Sequence, residues 1–384
     1  MPLASCERVQ AVLNHEIPDR VPIVLGASNA TGISTPAYRK LKEYLGVEAE
    51  DRYLYDWPEL GTSALDEAVL ERLHSDVRGV HDREPAHIRE KNRTREPGSP
   101  YFNSWGVGSV EGDPGTWFPA IHPLADTHSI EDIESYPWPD MNDPTRVAHV
   151  KAEAQKLAYE NKYAILATPW LAFPLERAYA MQRMDRFMLN IGKHPDFTRA
   201  LLTKIAELCK TLMGHFLREI GDNIDMIKIG DDLGMQNSLL MSPKMYREIV
   251  KPIHADYISF IKSHTKAKVF FHTDGDVFPL IPDFIEMGVN ILNPIQTSAG
   301  KMSDLEELKR QFGKHLVFCG AIDTHRILPF GTPDEVRAEV KRIIEILGQD
   351  GGYMLSSVHT ILPDVPPENI LAMVDVAMEF GNYR

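Results

Sequence analysis

His272-Thr273-Asp274 sets an imidazole and a carboxylate two positions apart, and a second imidazole, His359, follows further down the chain. Side chains alternate along a strand, so His272 and Asp274 project to the same side if the preceding residues are extended. Two imidazoles and a carboxylate are a known ligand set for catalytic zinc, with a position left for water or substrate. The same groups without a metal are general acids and bases. The competing reading is structural. Polar residues at strand ends also cap helices and form turns, which accounts well for Asp323 and for one of Asp231 and Asp232. It accounts less well for His272 and His359, because histidine is a poor helix cap.

The elements needed to position these groups are legible around them. Val269-Phe270-Phe271 is an apolar run of strand formers with no proline, suited to a strand covered on both faces. Gly275 breaks it, and Val277, Leu280, Ile281, Phe284 and Ile285 then recur at helical spacing. Strand-then-helix units repeat from residue 163 onward, with strands expected at 163–167, 226–229, 289–292, 316–318 and 353–356. Helices are expected at 146–160, 174–190, 194–220, 303–312, 333–347 and 367–380. Thr332-Pro333-Asp334-Glu335 has the form of a capping box. Val21–Gly26 is the first strand candidate. Residues 51–145 are irregular, rich in Pro and Gly and in tryptophan (Trp57, Trp105, Trp117, Trp138).

Repeated strand–helix units imply parallel strands. The expected fold is α/β, a (β/α)8 barrel forming one domain over 1–384, with 51–145 an elaboration over the barrel mouth. A doubly wound open sheet is the runner-up. No GxGxxG or GxxxxGK[ST] loop follows a strand, which counts against its nucleotide-binding versions. Barrel active sites sit at the strand C-termini. The polar residues expected there are Thr168 and Trp170, Asp231 and Asp232, Asn293 and Gln296, Cys319 and Asp323, Ser357 and His359, besides His272 and Asp274. Trp170, Asp231, Gln236, Asn293, Gln296 and Asp323 are expected to orient a small polar substrate. No GxSxG places a serine nucleophile, and no row of aromatics accompanies the acids as sugar chemistry would favour.

Composition excludes other classes. A net charge of −14 leaves no general basic face for nucleic acid. Three scattered cysteines give neither a disulfide framework nor a CxxC metal ribbon. No apolar run is long enough to span a bilayer, and the first residues lack a signal-peptide core. A cytoplasmic protein with no membrane or nucleic-acid partner is expected, and a homodimer is allowed.

Several segments resemble the uroporphyrinogen decarboxylase superfamily: Ala167-Thr168-Pro169-Trp170-Leu171-Ala172-Phe173, Gly230-Asp231-Asp232-Leu233-Gly234-Met235-Gln236, Leu292-Asn293-Pro294-Ile295-Gln296, and Val365-Pro366-Pro367-Glu368-Asn369-Ile370. The resemblance runs over roughly residues 7–380. It implies a (β/α)8 barrel and two branches of activity. True decarboxylases carry arginines after the first strand for the substrate's many carboxylates, whereas Leu25–Gly32 here holds no cation. The methyltransferase branch binds zinc through a His-x-Cys and a cysteine near the last strand. Those places hold His272, Asp274 and His359 in this chain, so the sulfurs are gone. Loss of thiolates leaves the ion a stronger Lewis acid, suited to polarising an ether oxygen. Cys319 is a possible substitute ligand.

The resemblance therefore points to a corrinoid-dependent demethylase, with zinc or another divalent metal on His272, Asp274 and His359, and with His272, His359 and Asp232 as catalytic groups. Cobalamin would come on a separate corrinoid protein, since the chain has no Asp-x-His-x-x-Gly segment. The alternatives are a metal-assisted decarboxylase or lyase of a small carboxylic acid, and a non-catalytic binding barrel.

Overall fold

Short runs of buried β-branched and aromatic residues build the centre of the molecule. In the computed structural model, residues 2–55, 61–112, 117–169 and 173–383 are described. The strands are β1 (Val77–Val80), β2 (Tyr101–Phe102), β3 (Gly108–Glu111), β4 (Trp117–Ile121), β5 (Ala164–Ala167), β6 (Met226–Gly230), β7 (Lys268–His272), β8 (Ile291–Asn293), β9 (Val317–Ile322) and β10 (Tyr353–Ser357). Seven of them form one parallel sheet in the order β1-β5-β6-β7-β8-β9-β10. Helices on the outer face cover it, which is why these strands read as continuous apolar runs rather than alternating ones.

The sheet is curled, and the segment Pro22–Leu25 joins its two edges. On one side Leu355 N donates to Pro22 O and Val24 N to Leu355 O, both at 2.8 Å; on the other Asp76 N donates to Ile23 O at 2.8 Å. This segment, the first stave in sequence, completes the eight of a (β/α)8 barrel. The Asp76 carboxylate reinforces the join. It is fully buried and accepts from Arg8, from both terminal nitrogens of Arg20, from Ser5 and from Ile23 N, all at 2.6–2.9 Å. With every lone pair engaged, this buried charge is compensated.

The lumen is apolar where the strands begin. Val24, Val77, Ala164, Leu166, Met226, Phe270, Ile291, Val317 and Met354 form one cluster with Val9, Val12 and Leu13 of the helix Ser5–Leu13. Cys6 N of that helix donates to Lys162 O, just before β5, so the helix plugs the end where the strands start. The outer layer behaves as its periodicity predicts. The helix Pro333–Leu347 buries Val336, Val340, Ile343, Ile344 and Leu347 and opens with the Thr332–Glu335 capping box. Fully burying each such side chain contributes roughly 1.5–3 kcal/mol.

The span 174–190 folds as two helices, Pro174–Gln182 and Met184–Lys193, because Arg183 takes a left-handed φ of 66° between them. Residues 51–145 supply a barrel strand, β1, as well as the antiparallel sheet β2-β3-β4. Trp105 is fully buried there, edge-on to Trp138, and Leu124 N donates to Met181 O of the helix Pro174–Gln182. Trp57 lies outside the described residues. Among the described residues no helix is long and apolar enough to cross a membrane.

Candidate metal centre

Strand alternation and register bring the polar groups together. Lys228 pairs with Phe270, Gly230 with His272, and His272 with Asn293 across β6, β7 and β8. His272 closes β7, and Asp274 follows on the same side. Gly275 then turns at φ +88° with its backbone against Gly234, where a Cβ would come within 2.3 Å of the Gly234 carbonyl carbon. This close approach fixes the loops after β6 and β7 to each other, as does Asp274 N donating to Asp232 Oδ1 at 2.9 Å.

His272, Asp274 and His359 converge at the C-terminal mouth. Each offers one ligand atom, and the three atoms lie within 4.8 Å of one another. Asp274 Oδ2 is 3.9 Å from His272 Nε2 and 3.8 Å from His359 Nε2. Ligands around a tetrahedral zinc stand about 3.4 Å apart for bonds of about 2.1 Å, so a slight closing of the side chains suffices. Asn293 Nδ2 faces Cys319 O, which leaves Asn293 Oδ1 to accept from His272 Nδ1 at 2.8 Å. The proton is thereby held on Nδ1, and the Nε2 lone pair faces Asp274 and His359. That is the supporting hydrogen bond that metal-binding histidines carry.

The electrostatics agree with a ligand set. Burial first, and the charge of Lys228 next, push His272 well below its ordinary pKa, so its ring is neutral. His359 is also lowered by burial, with Asp232 opposing. Burial raises Asp274 to about 6, with Lys228 opposing, and Asp232 to about 6, with the Asp274 charge adding to the burial. Asp274 Oδ1 is buried and has no hydrogen-bond partner among the described residues. Two neutral imidazoles and an under-bonded carboxylate are what a divalent ion would satisfy. A cleft of about 230 Å³ opens beside them, lined by Asp274, Gln296, His325 and His359 among others.

Other expected site residues fall elsewhere. Asp231 does not line the mouth. It is fully buried, accepts from Leu175 N and Glu176 N at the start of the helix Pro174–Gln182, and accepts from His254 Nε2 at 2.8 Å. Asp323 is likewise a cap, accepting from His325, Arg326 and Ile327 N at 2.7–3.2 Å. Both placements correct the expectation that these acids orient substrate: each carboxylate is engaged mainly by backbone donors, and neither lines the cleft beside the three ligands. Cys319 is buried on β9, its thiol pushed up to about 12 by burial, and it is not part of the group of ligand atoms that converges at the mouth.

Asn293 supports His272. Gln296 lines the cleft, where its Oε1 accepts from Gly275 N at 2.6 Å and its Nε2 reaches Gln236. Gln236 itself is exposed and donates to Ser298 O. Trp170 lies outside the described residues.

Three polar residues near the mouth were not anticipated. Lys228 points into the lumen from mid-β6, its Nζ donating to Asn29 Oδ1 at 2.9 Å. Glu176 accepts from Asp232 N, and burial, with Asp232 and Asp231 adding to it, raises its carboxyl well above the usual range. His81, after β1, hydrogen-bonds the Thr168 hydroxyl, and burial lowers its pKa to about 3. The one available sequence signal was Lys228, a lone cation between Ile227 and Ile229 in a doubly covered strand.

This barrel, with its polar C-terminal mouth, belongs to a recognisable class. The profile of the uroporphyrinogen decarboxylase (URO-D) family matches residues 109–380, and the chain belongs to that family. The uroporphyrinogen decarboxylase of Pelodictyon phaeoclathratiforme is 26% identical over 205 residues, covering 53% of this chain and 52% of that protein. That of Chlorobium chlorochromatii is 25% identical over 206 residues, covering 53% and 52%. The chain thus matches about half the length of these curated relatives. Among solved structures, a methyltransferase from Methanosarcina mazei superposes over 98% of this chain and 99% of its own, with a TM-score of 0.68 and 20% identity. That likeness is one of fold.

Proposed function

We propose that this chain is a methyltransferase that demethylates a small methylated substrate, such as a methyl ether, and passes the methyl group to a corrinoid carried by a separate protein. The observation that carries the reading is the convergence of His272, Asp274 and His359, with the His272 lone pair aimed by Asn293. The description of the Methanosarcina mazei neighbour as a methyltransferase supports the same branch. The cation-free loop Leu25–Gly32 argues against a polyanionic tetrapyrrole.

Such a transfer would break the ether C–O bond, with the corrinoid of the partner protein supplying the electron pair for the new methyl bond, and the released oxygen would need a proton. Zinc held by His272, Asp274 and His359 would supply Lewis acidity toward that oxygen. The chain's own groups do the rest. Asn293 keeps His272 in the tautomer that presents Nε2. Asp232, raised to about 6 and accepting from Asp274 N, would exchange the proton. Gln296 lines the cleft beside Asp274 and His359 and holds the loop after β7 through Gly275 N.

A second reading, a metal-assisted decarboxylase or lyase of a small carboxylic acid, is favoured by the curated relatives, which are decarboxylases. One experiment separates them: the purified protein is incubated with methyl ethers and cob(I)alamin, and methylation is followed by absorbance, with and without a chelator. Chelator-sensitive methylation supports the proposal. Turnover in the absence of any corrinoid overturns it in favour of the second reading.

A further inference from the structure

The metal centre occupies the β7–β10 side of the mouth and leaves a buried cation on the other side unused. Lys228 is 1% exposed, in the middle of β6. Its Nζ donates to Asn29 Oδ1 at 2.9 Å and lies 4.7 Å from the centre of the Phe173 ring. Asn29 follows the first stave, and β1 and β5 stand between that stave and β6, so the lysine side chain reaches across the lumen. An ammonium has three donors; among the described residues one is used, and no carboxylate stands within ion-pairing distance. Burying a cation with no carboxylate in contact is costly, and the charges of Glu176, Asp232 and Asp274 offset this only from beyond ion-pairing distance. Apolar packing would not require a cation there. Burial draws its pKa down to about 8, with Glu176, Asp232 and Asp274 opposing, so it is mostly charged at neutral pH.

Asn29 adds a second donor. Its Oδ1 accepts from both Lys228 and the Tyr55 hydroxyl, which leaves the NH2 of the same planar amide to donate elsewhere. An ammonium beside an amide NH2 matches the two oxygens of a planar carboxylate. A phosphate, with more charge and a third oxygen, would be poorly met by one cation. Lys228 lies one same-face step before Gly230, which pairs with His272 on β7, so an anion seated on it lies one row below the metal ligands.

We infer that Lys228 and Asn29 form a seat for the single carboxylate of a small substrate, whose methylated end then faces His272 and His359. The orientation of the methylated end rests on the methyl-transfer reading; the carboxylate seat does not. The test is calorimetric binding at neutral pH of 4-methoxybenzoate against 4-methoxybenzamide, and of methoxyacetate against methoxyacetamide. The wild type should bind the acids at least about tenfold more tightly than the amides. Lys228→Met should erase that preference. Asn29→Asp, which gives the ammonium a resident carboxylate, should erase it too, and it decides the matter if Lys228→Met does not fold. Equal responses to acid and amide in the wild type, including no response to either, overturn the inference, as does a preference that survives the folded variants. Zinc content and methylation of cob(I)alamin are read on the same samples. An acid preference without methyl transfer keeps the carboxylate seat and sinks the methyl-transfer reading alone.

Discussion

His254 and Asp231 meet at 2.8 Å, while His272 and Asp274 stand 3.9 Å apart. Both pairs sit near the C-terminal mouth, on or beside β6 and β7. In the first, the carboxylate also caps the helix Pro174–Gln182, and His254 Nδ1 faces the Tyr246 hydroxyl at 3.3 Å. Its donors and acceptors are matched, so the pair locks helices to the barrel. In the second, the imidazole proton is drawn off to Asn293, the two facing atoms are both acceptors, and Asp274 keeps an orphaned oxygen. The same two residue types make a strut when their hydrogen bonds close and a ligand site when they are held open.

The largest test of this contrast is His272→Ala. It should abolish stoichiometric metal binding and, with the loss of several kcal/mol of Lewis-acid stabilisation, lower methyl transfer by roughly 10³-fold. Melting should change little by comparison, and elemental analysis with an activity assay reads both. Asp231→Ala should do the reverse. It orphans two helix N–H groups and the His254 proton, so denaturant melts should show a loss of about 3 kcal/mol with metal content intact. If Asp231→Ala empties the metal site and leaves stability alone, the distinction between strut and site is wrong.

Asn293→Ala keeps all three ligands and removes only the group that aims His272. Metal affinity by competitive chelation should fall roughly 10–100-fold in a protein that still folds; unchanged affinity would show that the tautomer is set by something else.

The smallest effect is in pH. The metal-free native state holds a proton on Asp274 more tightly than the unfolded chain does, with the pKa raised from 3.8 to about 6, and Asp232 shifts the same way. Between those values the native state binds more protons. Stability of the metal-free protein should therefore fall by on the order of 1–2 kcal/mol as pH rises from about 4 through 6, while zinc affinity rises over the same window because the ligand must ionise. Melts of chelated and zinc-loaded protein across that range would show the two opposed slopes.

Most of the barrel was legible because doubly covered strands leave unbroken apolar runs, as at Ile165, Ile227 and Phe270. Val77-Arg78-Gly79-Val80 escaped notice because it is four residues long and carries an arginine and a glycine. Convergence of His272, Asp274 and His359 followed from strand alternation and from barrel ends sharing one mouth. Asp231 and Asp323 followed the capping reading rather than the substrate one, a choice the sequence left open because a strand-end aspartate that caps a helix looks the same there as one that faces a substrate. His254 lies within the helix Lys251–His264, where nothing local shows that its ring reaches back to Asp231.

The first stave has a consequence for how the molecule is made. Ile23 pairs with Leu355, more than 300 residues later. At about 5–20 residues per second of synthesis, that partner arrives roughly 15–60 s after the stave leaves the ribosome. Asp76 arrives far sooner, and its clasp on Arg8 and Arg20 can dock the stave on β1 early. The growing chain is then a curled, open sheet with one waiting seam. β10 fills that seam, and His359 follows directly behind it. The last ligand is therefore delivered by the closing of the barrel, and an incompletely made chain cannot assemble the site that would do the chemistry.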